Sequence, residues 1–239
     1  MLFGDVSAPG EAVEVVGLHG WRRSRRDLTR CLAGIDSVAF DLPGFGASPP
    51  PAEPMGAAGY AELVVNAVGE LTRDPVVMLG HSFGGRVAVC AAAQYPDRVR
   101  ALVLTGVPLL RPSAPPRPRF RFRLARTLNR WSLVSDARME RLRQQYGSDD
   151  YRQATGVMRA VLVRVVNESY EKELGRLTCP VELIWGQRDT AAPFETAVRA
   201  LPLIGKGNLT VLEGVGHDTP AEAPDQLRAI VTQLSAQPA

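Results

Sequence analysis

Short apolar runs alternate along most of the chain with longer stretches whose apolar residues fall at helical spacing. Val13-Glu14-Val15-Val16-Gly17-Leu18, Ser37-Val38-Ala39-Phe40, Pro75-Val76-Val77-Met78-Leu79, Leu102-Val103-Leu104-Thr105, Pro180-Val181-Glu182-Leu183-Ile184-Trp185 and Leu209-Thr210-Val211-Leu212 read as strands. Most are too uniformly apolar to have one wet face, which is the pattern of strands buried on both sides. Between them, Ala57 to Leu71 sets Tyr60, Leu63, Val64, Ala67, Val68 and Leu71 on one helical face, and a small-residue segment after Gly84 continues as helix to about Tyr95. Pro193 to Leu201 and Pro224 to Leu234 predict two more helices, and the polar stretch Arg22 to Ala33 spaces Leu28 and Leu32 for one helix face. Strands alternating with helices predict a mostly parallel sheet covered on both faces, an α/β fold. The rhythm fails between Pro108 and Leu177. There a proline- and arginine-rich lead is followed by two or three helical patterns, the clearest being Met158, Val161, Leu162, Val165 and Val166. The expected organisation is therefore a core of residues 1–107 and 178–239, with 108–177 a helical insertion lying over the sheet.

Composition narrows the class. At 239 residues, 45% apolar and 22% charged, the chain has the make-up of a soluble globular protein. No apolar run approaches the roughly 20 residues of a membrane-spanning helix. Met1-Leu2-Phe3-Gly4-Asp5 lacks the basic and apolar regions of a signal peptide, so a cytoplasmic protein is expected. Cys31, Cys90 and Cys179 are far apart and odd in number, which predicts buried free thiols in a reducing compartment. The histidines do not cluster with them, so neither a metal site nor a cofactor is expected. Net charge is +3, but ten arginines fall between Arg111 and Arg143 against Asp136 and Glu140, giving that segment about +8 and the remainder about −5.

The chemistry starts at Gly80-His81-Ser82-Phe83-Gly84, a Gly-x-Ser-x-Gly sequence between a predicted strand and a predicted helix. Such a turn lifts a serine hydroxyl above the carboxyl edge of the sheet, and a Cβ at Gly80 or Gly84 would collide where the chain doubles back. A serine hydroxyl needs a base. Of three histidines, His81 adjoins Ser82 and should point away, and His19 lies in a turn where it braces the loop. His217, in a glycine-rich loop after the last strand, is left as the base. Its orienting acid should come from another strand end. Asp189 follows the Val181–Trp185 strand, and Asp218, adjacent to His217, is the rival. Backbone N–H groups of Phe83 and Trp21 are placed to stabilise an oxyanion. Asp41 should brace its own glycine-rich loop, and Cys90 should pack.

His19-Gly20-Trp21, Asp41-Leu42-Pro43-Gly44-Phe45-Gly46, Gly80-His81-Ser82-Phe83-Gly84-Gly85, Trp185-Gly186-Gln187-Arg188-Asp189 and Gly216-His217 together resemble the α/β-hydrolase fold superfamily. The order Ser82, Asp189, His217 is the nucleophile-acid-base order of that fold. The resemblance implies an eight-stranded, mostly parallel sheet with a helical cap inserted before the acid-bearing strand. Only about twelve residues precede the first motif strand, so the N-terminal edge should be shortened to one strand or none. A serine nucleophile sets the chain apart from haloalkane dehalogenases and epoxide hydrolases. It leaves carboxylesterases, carbon–carbon bond hydrolases, thioesterases, peptidases and cofactor-free lyases, and the Trp21 and Asp41–Ser48 motifs are also similar to those of esterases acting on carrier-bound acyl groups. Cleavage of a small-molecule carboxylic ester is the leading expectation, with a non-catalytic ligand receptor as the contrasting one.

Three roles are open to the arginine-rich segment: a solvated face, attraction of an acidic substrate or acidic carrier protein, and membrane association. Phe120, Leu124, Leu128 and Trp131 make a basic amphipathic pattern, but a cap helix must bury such a face over the site anyway, so membrane ranks last. No recognition motif accompanies the charge, which argues against nucleic acid. Nothing in the sequence sets an oligomeric state.

Overall fold

A computed structural model describes residues 2–7, 12–111 and 149–237. The arginine-rich lead and the Phe120–Trp131 pattern lie outside the described residues. Seven strands form one sheet: β1 (Phe3–Ser7), β2 (Val15–Leu18), β3 (Ser37–Asp41), β4 (Val76–His81), β5 (Val99–Thr105), β6 (Val181–Gly186) and β7 (Gly207–Leu212), in the order β1-β3-β2-β4-β5-β6-β7. Every pairing is parallel except β1 against β3, where Phe3 faces Asp41 and Ser7 faces Ser37. Among the described residues the N-terminal edge carries a single antiparallel strand, within the one or none expected, and seven described strands stand in place of the eight implied.

The central strands are apolar on both faces because both faces are covered. In β4, Val76 and Met78 join one cluster with Tyr60, Val64 and Val68 of α1 (Ala57–Leu71) and Val87 of α2 (Phe83–Gln94). Val77 and Leu79 join the other, with Leu28, Leu32 and the Leu227, Val231 and Leu234 stripe of the C-terminal helix Pro224–Ser235. All four β4 residues are fully buried, and each contributes about 1.5–3 kcal/mol of apolar transfer. The stretch Arg22–Ala33 makes one short 3-10 turn, Arg25–Leu28, rather than a helix. Leu28 and Leu32 are nonetheless buried, pressed against Gly17 of β2, while Arg25 is held by Asp41 and Arg23 by Asp27 and Asp218. Side-chain anchors and a series of separate turn hydrogen bonds, rather than a continuous helical ladder, shape this segment.

After β5 the described chain resumes with helices α3 (Asp149–Gln153), α4 (Gly156–Val165) and α5 (Glu171–Leu174). The Val161, Leu162, Val165 stripe of α4 is buried, Met158 packs on Gly44, and Leu174 joins the core beside α2. Helix α6 (Phe194–Ala200) follows β6, and a short helix α7 (Thr219–Glu222) precedes the C-terminal helix, here α8. Among the described residues no helix is long and apolar enough to cross a membrane. The three cysteines are free and buried, as expected.

Two buried histidines tie strand ends together. The Leu42 N–H donates to His19 Nε2 at 3.0 Å, so Nδ1 carries the proton and donates to the Gly20 carbonyl at 2.7 Å. This neutral imidazole joins the ends of β2 and β3, the bracing role its turn suggested, and burial holds its pKa below the ordinary value. His81, 3% exposed, donates from Nε2 to the His217 carbonyl at 2.9 Å and pins the loop after β7 to the end of β4. Its Nδ1 is buried with no partner. Burial, reinforced by the neighbouring His217, pushes the His81 pKa down to about 4.

Because the unfolded chain takes up the His81 proton near the ordinary 6.5 and the folded chain only at about 4, acidification across that window favours unfolding. Urea unfolding of wild type and His81→Gln at pH 7 and pH 4 should show the stability of wild type, relative to the variant, falling by up to about 3 kcal/mol; an unchanged difference refutes the assignment. A second expectation concerns the elbow. An alanine Cβ at Gly84 would sit 2.2 Å from the Leu18 carbonyl oxygen, whereas one at Gly34, at φ +77°, meets nothing within 4 Å. Gly84→Ala should therefore cost about 3 kcal/mol or more and Gly34→Ala only about 1 kcal/mol of backbone strain.

Candidate active site

Ser82 ends the β4 turn at φ 50° and ψ −110°, one of two non-glycine residues with positive φ among those described. Such a conformation costs about 1–3 kcal/mol and persists only where the surroundings over-determine it. Here they do. The Ser82 N–H donates to the Thr105 carbonyl at 2.9 Å, and the Gly84 N–H to the His19 carbonyl at 3.0 Å. A Cβ on Gly80 would lie 2.5 Å from the Gly85 Cα, and one on Gly85 would lie 2.2 Å from a Val107 methyl. The glycines let α2 fold back directly on β4, so the serine is the turn's apex.

Three side chains from three strand ends meet there. His217 Nε2 lies 3.2 Å from Ser82 Oγ, and His217 Nδ1 lies 2.8 Å from Asp189 Oδ2. Asp189 is buried, and its other oxygen accepts from the Ala191 and Ala192 N–H groups at 2.9 and 2.8 Å. The Trp185 indole N–H closes the same loop on the Ala192 carbonyl at 2.8 Å. The acid and imidazole loops are also joined by their backbones: the Gln187 N–H donates to Leu212 and the Arg188 N–H to Val215. Gly186 admits that approach, since a Cβ there would lie 2.2 Å from the Gly216 oxygen. Asp218, the rival acid, is paired with Arg23 instead and turns away from the imidazole it adjoins.

The Trp21 turn packs against the start of α2. The Trp21 ring lies 4.8 Å from Phe45 and 5.5 Å from Phe83 between centroids, and Tyr60 packs on Phe83 at 4.9 Å. Phe83 opens α2, so its N–H belongs to the first turn, where no helical carbonyl can take it. Asp41 accepts from the Arg25 and Ala47 N–H groups, each at 2.8 Å, and pairs with the Arg25 guanidinium. Burial alone would raise its pKa, but the two N–H bonds and the guanidinium hold it below the usual carboxylate range. It braces the glycine-rich loop, as its position suggested.

Over Ser82, among the described residues, opens a cavity of about 330 Å³, walled by Trp21, Phe83, Pro108, Leu110, Ala192, Pro193 and His217 on one side and by Leu162, Val165 and Val166 of the α4 region on the other. Three charged lining residues, Arg86, Asp150 and Glu168, were not singled out from sequence. Arg86 had a legible signal, a charge within the otherwise small and apolar Phe83–Gln94 helix. Glu168 had none. Among the described residues no cluster of histidine, cysteine and carboxylate groups could hold a metal.

A family model described as the alpha/beta hydrolase family matches residues 15–230. Over 92% of its length the chain is 26% identical to a 2-hydroxy-6-oxononadienedioate/2-hydroxy-6-oxononatrienedioate hydrolase of Pseudomonas sp., covering 84% of that protein. A more local match, 39% identical over 104 residues, covers 42% of the chain and 39% of a pimeloyl-[acyl-carrier protein] methyl ester esterase of Neisseria meningitidis. An esterase from Exiguobacterium antarcticum superposes with a TM-score of 0.73 at 19% identity, over 98% of this chain and 96% of that one, which is a likeness of fold. With the family model spanning most of the chain over the strands and loops just described, the protein is a hydrolase and belongs to the alpha/beta hydrolase family.

Proposed function

We propose that the protein is a serine hydrolase that cleaves a carboxylic ester by acyl transfer, with Ser82 as nucleophile, His217 as base and Asp189 as the acid that orients it. The observation that carries this reading is the unbroken line from Ser82 Oγ through both His217 nitrogens to Asp189, at 3.2 and 2.8 Å. Asp189 has its second oxygen held by two amides, so it favours the tautomer with the proton on His217 Nδ1. Nε2 is then free to accept. As Ser82 Oγ bonds the ester carbonyl carbon, its proton passes to Nε2, and the carbonyl oxygen becomes an oxyanion facing the Phe83 and Trp21 N–H groups. Collapse breaks the bond to the alkoxy group, which leaves with the proton from Nε2. Water repeats the sequence on the acyl-enzyme and releases the acid. No step calls for a metal or organic cofactor.

The helices over the cavity act as a cap that shapes the pocket. The excess of arginines between Arg111 and Arg143 supports an acidic small-molecule substrate or an acidic carrier protein as partner. The local likeness to a carrier-protein methyl ester esterase agrees with the latter. A second reading, carbon–carbon bond hydrolysis on the same three residues, is favoured by the likeness to the oxononadienedioate hydrolase, which extends over nearly the whole chain. Turnover of simple esters against vinylogous diketones separates the two, and the ester reading requires the esters to be the faster substrates.

Ser82→Ala should lower kcat by roughly a million-fold, and Asp189→Asn, which leaves imidazole in the wrong tautomer, by roughly ten thousand-fold. Steady-state kinetics with labelling by a fluorophosphonate check both. Substantial ester hydrolysis surviving in Ser82→Ala would falsify the mechanism.

A further inference from the structure

Arg86 is 9% exposed yet lines the same cavity as Ser82, one helical turn further along α2. Four residues of helix advance about 6 Å. Its partners are neutral: Nη1 donates to the Val165 carbonyl at 2.5 Å, and the guanidinium lies over the Tyr170 ring at 5.9 Å. Its Nε–H is buried with no acceptor. Among the described residues no ion pair includes it. The two carboxylates that line the cavity are engaged elsewhere: Asp150 pairs with Arg22 at 3.3 Å. Glu168 attracts the guanidinium without touching it, its oxygens accepting instead from the Tyr170 hydroxyl at 2.8 Å and the Ala57 N–H at 3.1 Å. Burial lowers the Arg86 pKa, but a guanidinium keeps its proton in proteins. A desolvated cation with no carboxylate in direct contact is costly to keep. The cost becomes intelligible when the cavity is filled by an anion.

Building on the serine hydrolase reading, we infer that Arg86 is a specificity-determining residue that pairs with a carboxylate on the substrate, set apart from the scissile carbonyl by a short chain. The preferred substrate is then an ester with a free acid at the far end of its acyl group, the same sign of charge that the arginine-rich stretch of the sequence would attract. A purely mechanical role is the contrast. Val165 ends α4, where a cation offsets the helix dipole, so Arg86 also ties the overlying helix to the core. Loss of that tie would affect all substrates alike. Loss of a charge partner would not.

The test compares paired esters of graded chain length, one of each pair ending in a carboxylate and the other in a methyl group, on wild type, Arg86→Met and Arg86→Lys. Wild type should favour the carboxylate member in kcat/KM by about 10- to 100-fold. Arg86→Met should bring that ratio close to one, with Arg86→Lys in between. Wild type showing no preference, or Arg86→Met lowering both members in the same proportion, overturns the inference. Should Arg86→Met not fold, the wild-type and Arg86→Lys ratios decide it. A wild type that cleaves no ester defeats the preceding reading and not this one. Calorimetry with glutarate and its diamide on wild type and Arg86→Lys then settles the matter: only the diacid should bind, more weakly in the variant, and equal heats overturn the inference.

Discussion

The approach of α2 to β4 without an intervening loop is the constraint on which everything else rests. It forces Ser82 into a left-handed conformation and leaves no room for a Cβ at Gly80, Gly84 or Gly85. The turn is held from both sides, by the Thr105 carbonyl of β5 and the His19 carbonyl beyond β2. Strain of about 1–3 kcal/mol is thus borne by the sheet as a whole. The serine is presented at a fixed height because the strands on either side of β4 are in register with it.

The imidazole and the acid are organised by the same device of strand-end loops bound to one another. His81 holds the His217 carbonyl, Glu222 accepts from the Gly216 N–H at 2.8 Å, and the Asp189 loop is bonded to the backbone on either side of Glu213 and Gly214. Each bond fixes backbone, so the side chains meet with little freedom left to lose. Elements that take no part in the chemistry therefore set its geometry, and the neutral state of His81 is one condition of that arrangement.

Charge is distributed in a consistent way. Buried Asp41 is matched by Arg25, and Asp218 is matched by Arg23, so neither competes for His217. Arg86 is the exception, a buried cation facing a cavity with only neutral partners. With no carboxylate in direct contact with it, Arg86 is, among the described residues, the one buried cation beside the Ser82 cavity that the proposed substrate acid would complete.

Much of this was legible in the chain. Alternating strands and helices, the Gly80–Gly84 turn and the positions of Asp189 and His217 at later strand ends follow from local pattern, because burial on both faces and a tight turn each demand particular residues at fixed spacing. The Arg22–Ala33 stretch misled, since its form comes from ion pairs with Asp41 and Asp218, far away in sequence. Pattern ranked Asp189 above Asp218, since adjacent side chains rarely orient one another, but it could not show that Arg23 would take Asp218 or that His81 would hold the His217 loop. Those outcomes depend on which strand ends lie side by side, and register is a property of the assembled sheet. The sequence alone determined the elbow and its candidate partners. Tertiary structure decided which carboxylate meets the imidazole and that Arg86 faces the serine's cavity, because both depend on contacts between segments that only folding brings within reach.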